Sequence, residues 1–351
     1  MTRQAVPMVD ELSLDDITAA LLRGRGLAHK RDISDVVAAL QQALPDAVKG
    51  GVEAMPIGDD CAAIPDGDGF LLFAIEGFVE DFVARLPWFA GYCGVMVNVS
   101  DIYAMGGRPI AVVDALWSRG SESSQPLLEG LSTASQRYGV PIVGGHTNKQ
   151  SAHGQLAVAI LGRARKLLTS FNAQPGDRLV MAIDLRGAYE EPHPYWNAST
   201  LAPAERLRAD LDVLPELAED GLCDAAKDIS MGGAIGTTLM LLECSQVGAV
   251  IDIDAIPHPD FDTPQAMAMG APLLRWLQAF PSYGFVLSVR PEQVDAVLQR
   301  FAARGVASAV VGTVTRDPQV LLRRGDETSL LWDVSTQALI LPQRAAEAAH
   351  A

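Results

Sequence analysis

The chain has 351 residues, 49% of them hydrophobic and 20% charged, the profile of a folded protein long enough for two ordinary domains. Its formal net charge of −16 argues against a nucleic-acid or anionic-membrane surface, so an anionic ligand here would need divalent cations to offset that charge. Cys61, Cys93, Cys223 and Cys244 lie far apart, with no Cys-x-x-Cys spacing, and read as free thiols of a reducing compartment. The N-terminus is acidic rather than basic and then apolar, and no apolar run is long enough to span a bilayer, which together read as cytoplasmic.

Residues 1–50 read as helical, with Ser13 and Asp15 as candidate caps. A basic, glycine-containing stretch at 23–31 interrupts them. It is either a solvated helix end or a flexible lid over phosphates, with Lys30 as its mobile point charge. Gly58-Asp59-Asp60-Cys61-Ala62 sets two adjacent acids before an apolar strand. Alone this is ordinary turn chemistry, but paired carboxylates at a strand entrance also suit Mg2+. Residues 70–75 read as a buried strand with Glu76 at its end. Within 98–109, Asn98 and Asp101 stand three apart and so share one helical face, in a segment otherwise small and apolar. A buried carboxylate there costs several kcal/mol unless it is paired or holds a metal.

Residues 110–117 read as a strand and 127–138 as a helix ending at Gly139. The apolar residues 140–143 then lead into Gly144-Gly145-His146-Thr147, either a plain loop or a glycine turn that lets backbone amides approach phosphate oxygens. A further strand covers 155–162. A strong turn at 174–177 precedes a new apolar strand at 178–183, and a domain boundary is placed before it, giving segments 1–50, 51–165 and 166–351. The aromatic, proline-rich stretch 189–197 is a surface loop or an acceptor-recognition loop. Asp228-Ile229-Ser230-Met231-Gly232-Gly233 precedes an apolar helix at 234–244, with Asp228 or Ser230 as its cap, or else the whole loop facing an anion. The P-loop, the dinucleotide fingerprint and zinc spacings are all missing. Strands interleaved with helices imply a mixed α/β or α+β architecture in two lobes.

The order of these motifs is more specific than any one of them. It resembles the superfamily of aminoimidazole ribonucleotide (AIR) synthase, thiamine-monophosphate kinase, selenide, water dikinase and the hydrogenase maturation factor that makes a thiocarboxamide. The resemblance covers roughly residues 50–320. The stretch 98–109 is most like the dikinase and 58–62 most like the kinase.

The resemblance implies a two-lobed AIR synthase-like fold whose N-terminal lobes pair into a β-barrel in a homodimer. It implies ATP at the dimer interface, with Mg2+ ions bridging its phosphates. By motif position the metal ligands would be Asp59 or Asp60, Glu76, Asp101 and Asp228. Glu76 falls where the kinases and dikinases usually carry aspartate. Asn98, Gly144, Gly145, His146 and Thr147 would meet the nucleotide, while Lys30 and Asp228 would act in catalysis.

The chain also departs from each relative. Residues 1–50 contain no cysteine, where the dikinase carries a reactive one. Met231 stands where thiamine-monophosphate kinase has a second aspartate, residues 281–286 lack that kinase's Gly-Glu-Asp-Tyr-Glu stretch, and AIR synthase has Gly-Gly-Glu-Thr in place of Gly-Gly-His-Thr. The expectation is a Mg2+-dependent, ATP-using phosphotransferase or ligase on a small-molecule acceptor. The alternatives are a thiamine-monophosphate kinase-like or selenophosphate synthase-like enzyme, or a nucleotide-binding regulator that kept the fold without the chemistry.

Overall fold

The computed structural model describes residues 12–43, 57–263 and 271–341; the segment edge expected at 50/51 lies outside the described residues. Helix α1 (Leu14–Arg23) begins at Ser13, whose hydroxyl accepts from the Asp16 amide at 3.1 Å. Only Gly24 separates it from α2 (Arg25–Ala43). The basic stretch, read as a solvated helix end or a flexible lid, is therefore the end of α1 and the opening of a 19-residue helix.

The next strands and helices build one layered unit: β1 (Ala62–Asp66), β2 (Gly69–Phe78), α3 (Glu80–Arg85), α4 (Pro87–Ala104), β3 (Gly107–Arg119), α5 (Ser121–Tyr138), β4 (Ile142–Asn148) and β5 (Gln150–Ala164). The strands form a five-stranded sheet in the order β1-β2-β5-β3-β4. Residues 144–147, read from sequence as a loop after a strand, lie inside β4, paired parallel to β3 at the sheet edge. That pairing joins distant segments and overrides the low strand preference of two glycines.

Helix α4 is apolar on every side and is buried from Phe89 to Ala104, as expected of a helix enclosed on all faces. It lies between the inner face of this sheet and α5. A Cβ on Gly130 of α5 would sit 1.9 Å from the Trp88 carbonyl oxygen, so the two helices meet backbone to backbone. Among the described residues nothing covers the outer face of the sheet. Phe73, Ile75, Val113 and Leu161 are 50%, 66%, 41% and 36% exposed, in alternate rows of the ladder and so on one face. The sheet stays open, with β1 and β4 at its edges, and no closed barrel forms among the described residues.

The rest of the chain runs β6 (Arg178–Ile183), β7 (Ala188–Tyr189), β8 (Trp196–Asn197), α6 (Ala204–Leu211), α7 (Val213–Glu219), β9 (Ala226–Asp228), α8 (Gly233–Ser245), β10 (Gly248–Asp252), α9 (Pro272–Leu277), β11 (Gly284–Val289), α10 (Val294–Ala302), β12 (Ala307–Thr315), β13 (Gln319–Arg324) and β14 (Glu327–Asp333). Seven of these strands form a mixed sheet, β14-β13-β10-β12-β6-β11-β9. Successive side chains of a strand point to opposite faces. Along β6, Val180 and Ala182 join the core shared with α4, while Leu179, Met181 and Ile183 join a second core with α8. Both faces are buried, which is why this strand reads as unbroken apolar sequence.

Leu14, Ile17, Leu21 and Leu27 belong to that second core, so the N-terminal helices pack on the C-terminal lobe. Strands β7 and β8 pair as a short hairpin, giving defined structure to the stretch 189–197. The four cysteines are free and buried. Among the described residues no helix is long and apolar enough to cross a membrane.

Candidate functional site

The two lobes meet where the C-terminal half of α4 approaches the edge strand β9. Helix α4 carries Asn98 and Asp101 on one face, as their spacing predicts. The Asn98 amide donates to the Gly94 and Val158 carbonyl oxygens at 2.8 and 3.0 Å, tying the helix to β5, while its Oδ1 is buried without a partner. Strand β9 contributes Lys227 and Asp228, 3% and 1% exposed. The turn at 57–61 supplies Asp60. Ligand oxygens of Asp60, Asp101 and Asp228 lie within 4.8 Å of one another.

The hydrogen bonds of this cluster are incomplete. Asp60 accepts from the Lys227 ammonium and from the Asp228 amide, the latter at 3.2 Å. Both oxygens of Asp228 and one of Asp101 are buried with no hydrogen-bond partner. Buried polar groups are ordinarily paired, and each such exception needs a cause. Burial pushes Asp228 up to about 8, with the Asp60 charge adding to it. Asp101 rises well above the carboxylate range through burial, reinforced by Asp228 and Glu76. Asp60 and Glu76 rise too, chiefly by burial, with Lys227 opposing in the first case and Lys30 in the second. Burial alone would lower the Lys227 ammonium, but the carboxylates of Asp60 and Asp59 raise it. Asp60, Asp101 and Asp228 thus share a buried pocket with Lys227, and the half-buried Glu76 and Lys30 line a cavity next to it. Orphaned, closely spaced hard oxygens fit a divalent cation.

Not every expected residue gathers here. The Asp59 carboxylate turns away and accepts from Thr169 Oγ1, Ser170 N and Ser170 Oγ at 2.6, 2.9 and 2.7 Å. It pins the turn and so leaves Asp60, its neighbour, aimed at β9. Residues 144–147 are exposed along β4. Gly145 shares a ladder row with Asp114, Val158 and Glu76, three strand spacings across, or roughly 14 Å from Glu76. One chain does not bring the glycine pair to the acids. Neither Asp228 nor Ser230 caps α8; Gly232 does, in a left-handed conformation with φ 115°. Lys30 does arrive: it lines a cavity of about 120 Å3 together with Glu76, Ser230 and Met231. Its position follows from Gly26, one turn earlier, where a Cβ would meet the Gly232 backbone at 2.6 Å. The helix opening is docked on the β9–α8 loop.

Sequence reasoning missed Lys227. Its signal was a Lys-Asp pair set in the apolar run 225–229, where an unpaired ammonium would not be tolerated. The wider opening beside the Lys30 cavity was also missed. It is a cavity of about 460 Å3, sharing Val79, Phe82, Tyr195, Met231 and Phe280 with the smaller one.

Residues 58–164 match the family model described as AIR synthase related protein, N-terminal domain, and 179–323 match its C-terminal domain. A protein of Synechocystis sp. without assigned function is 49% identical over 93% of this chain and 98% of its own length. Thiamine-monophosphate kinase of Synechococcus elongatus is 27% identical over 78% of this chain and 88% of its own length. Among solved structures, Thermotoga maritima PurL complexed with ATP superposes with a TM-score of 0.68 at 20% identity, over 81% of this chain. The chain spans about half of that PurL, 46% of its length. It belongs to the AIR synthase related family.

Proposed function

We propose that this member of the AIR synthase related family is an ATP-using phosphotransferase or ligase for a small-molecule acceptor. Its nucleotide would bind through Mg2+ on Asp60, Asp101 and Asp228. The observation that carries the reading is the trio of carboxylates with three buried, unpartnered oxygens at the seam of the two lobes. The named relatives support the coarser part, since the kinase and the ATP-complexed PurL both pair this fold with ATP. Phosphoryl transfer asks a protein mainly for positioning and charge neutralisation. When bound, the ion supplies that neutralisation between carboxylates and phosphate oxygens.

The chain's own residues would do the rest. Asp101 and Asp228 hold their oxygens in fixed positions because α4 and β9 are both rigid and buried. Lys227 pairs with Asp60 and opposes the rise that burial imposes on it. Lys30, held by the docked opening of α2, offers an ammonium to phosphate without a backbone rearrangement. Gly144, Gly145, His146 and Thr147 take part only if a second copy contributes them. The bare apolar face of the five-stranded sheet favours such pairing, because monomers rarely leave a contiguous patch of this kind to water. Two copies packed through that face would join their sheets into a barrel.

The test is calorimetric titration with a non-hydrolysable ATP analogue, with and without Mg2+, on wild type, Asp101→Asn and Asp228→Asn. The reading expects binding that requires Mg2+ and weakens at least about thirtyfold in each variant, the scale of losing one charged interaction. Wild-type binding that ignores Mg2+, or no binding at all, would sink it.

A further inference from the structure

We infer that the acceptor is a small molecule joining a planar ring to an anionic group, carboxylate or phosphate, and that it occupies the 460 Å3 cavity beside Lys30 and Glu76. This deepens the proposed function and rests on it. The volume falls within the range of small-molecule sites.

One wall of the cavity is aromatic. Tyr195 packs edge-on against Phe82 and Phe280, with ring centroids 5.2 and 5.1 Å away, and His193 stacks on it at 5.1 Å. Such faces take a flat ring at little entropic cost. The wall is braced from behind. The Glu190 amide donates to the Tyr195 carbonyl at 2.8 Å, and the Trp196 amide to the Phe280 carbonyl at 2.9 Å. Arg275 forks onto Glu191 at 3.0 and 2.9 Å and also donates to the His193 carbonyl at 2.8 Å. A pre-set wall of this kind saves ordering cost on binding.

The same cavity carries charge of the reverse sign to the protein as a whole. In a chain with 43 acids against 27 basic residues, the charged side chains lining this cavity are Arg25, Arg85 and one acid, Asp81. Arg85 pairs with Asp81 at 2.9 Å, while Arg25 has no ion-pair partner among the described residues. An exposed guanidinium lining a cavity beside aromatic rings is suited to a carboxylate or phosphate, which it can meet with two parallel hydrogen bonds. The cavity shares Met231 and Val79 with the smaller one lined by Lys30 and Glu76, so a molecule seated here can extend its far end toward those two groups.

The experiment titrates the full chain, in a phosphate-free buffer, with phenyl phosphate, benzoate, benzyl alcohol and inorganic phosphate. The inference expects one of the two ring anions to bind at least about tenfold tighter than benzyl alcohol and inorganic phosphate, the worth of one charged hydrogen bond. Whichever ring anion binds more tightly identifies the anionic group. Arg25→Met, at an exposed position, is expected to remove that advantage while benzyl alcohol binds as before, and Tyr195→Leu to weaken every ring compound.

Equal binding of all four probes, or an anion preference that survives Arg25→Met, overturns the inference. So does displacement of the ring anion by a saturating Mg2+–ATP analogue, because the cavity would then be the nucleotide's own. The same analogue titrated alone into wild type keeps the two readings apart. Nucleotide binding without probe binding removes the acceptor inference only. Probe binding without nucleotide binding removes the ATP reading and leaves the ring-and-anion site standing.

Discussion

The two sheets of this protein are built from the same apolar vocabulary but meet opposite surroundings. In the seven-stranded sheet, β6 and β11 are buried on both faces, between α4 on one side and α8 with the N-terminal helices on the other. In the five-stranded sheet, α4 and α5 cover one face, while Phe73, Ile75, Val113 and Leu161 stand open on the other. One lobe buries both faces of its sheet; the other leaves one face open among the described residues, and the acid cluster sits on the seam between them.

The sharpest way to break this contrast is one carboxylate placed in each sheet. Val286→Asp in β11 buries a charge at a position with no exposure and should cost more than about 4 kcal/mol, enough to prevent cooperative folding in a circular-dichroism melt. Ile75→Asp on the open face should leave the folded monomer within about 1 kcal/mol of wild type and instead abolish self-association by analytical ultracentrifugation. A monomeric wild type would show the open face to be no contact between copies.

Next comes the seam. Lys227→Met strands Asp60 beside two other buried carboxyl groups, and breaking a buried pair in this way costs about 3–5 kcal/mol. Denaturant melts should show most of that loss recovered in Lys227→Met/Asp60→Asn. Unchanged stability of the double variant relative to Lys227→Met would mean that the ammonium acts elsewhere.

A smaller effect follows pH. Burial holds Asp228 near 8 and Asp101 well above its ordinary range, so across roughly pH 4–8 the folded state binds more protons than the unfolded one. Stability without metal should therefore fall as pH rises through that window. Any Mg2+-induced rise in Tm should grow, because the cation displaces protons. Melts in EDTA and in Mg2+ at pH 6 and 8.5 read this out, and Asp228→Asn should flatten the slope. The smallest change is at the edge of the covered sheet, where Ser13→Ala removes the α1 cap at a cost of about 1 kcal/mol.

Much of the site was legible because its parts are local. Asn98 and Asp101 declared a shared helical face by spacing, and Asp228 was singled out by the glycine loop behind it. The strand at 178–183 was readable because both its faces are buried and its sequence is continuously apolar. Other features depended on partners far away in the chain. Asp59 and Asp60 are told apart by Thr169 and Ser170, more than a hundred residues on, which take the Asp59 carboxylate while Asp60 faces β9. The helix through Lys30 read as either a solvated helix end or a flexible lid. It holds because Gly26 lets it rest on the Gly232 backbone. Gly144 and Gly145 read as a loop and became a strand by pairing with β3.

The sequence by itself determined the family, the alternation of strands and helices, and the shared helical face of Asn98 and Asp101. Periodicity and motif order are properties of neighbouring residues. Only the tertiary structure decided that the acids meet at a seam of two lobes, that a buried lysine completes them, and that an arginine and three aromatic rings from four separate segments enclose one cavity. Those contacts join segments far apart in the chain, and their free energy comes from burial, charge pairing and exclusion of water, which no short stretch of sequence carries alone.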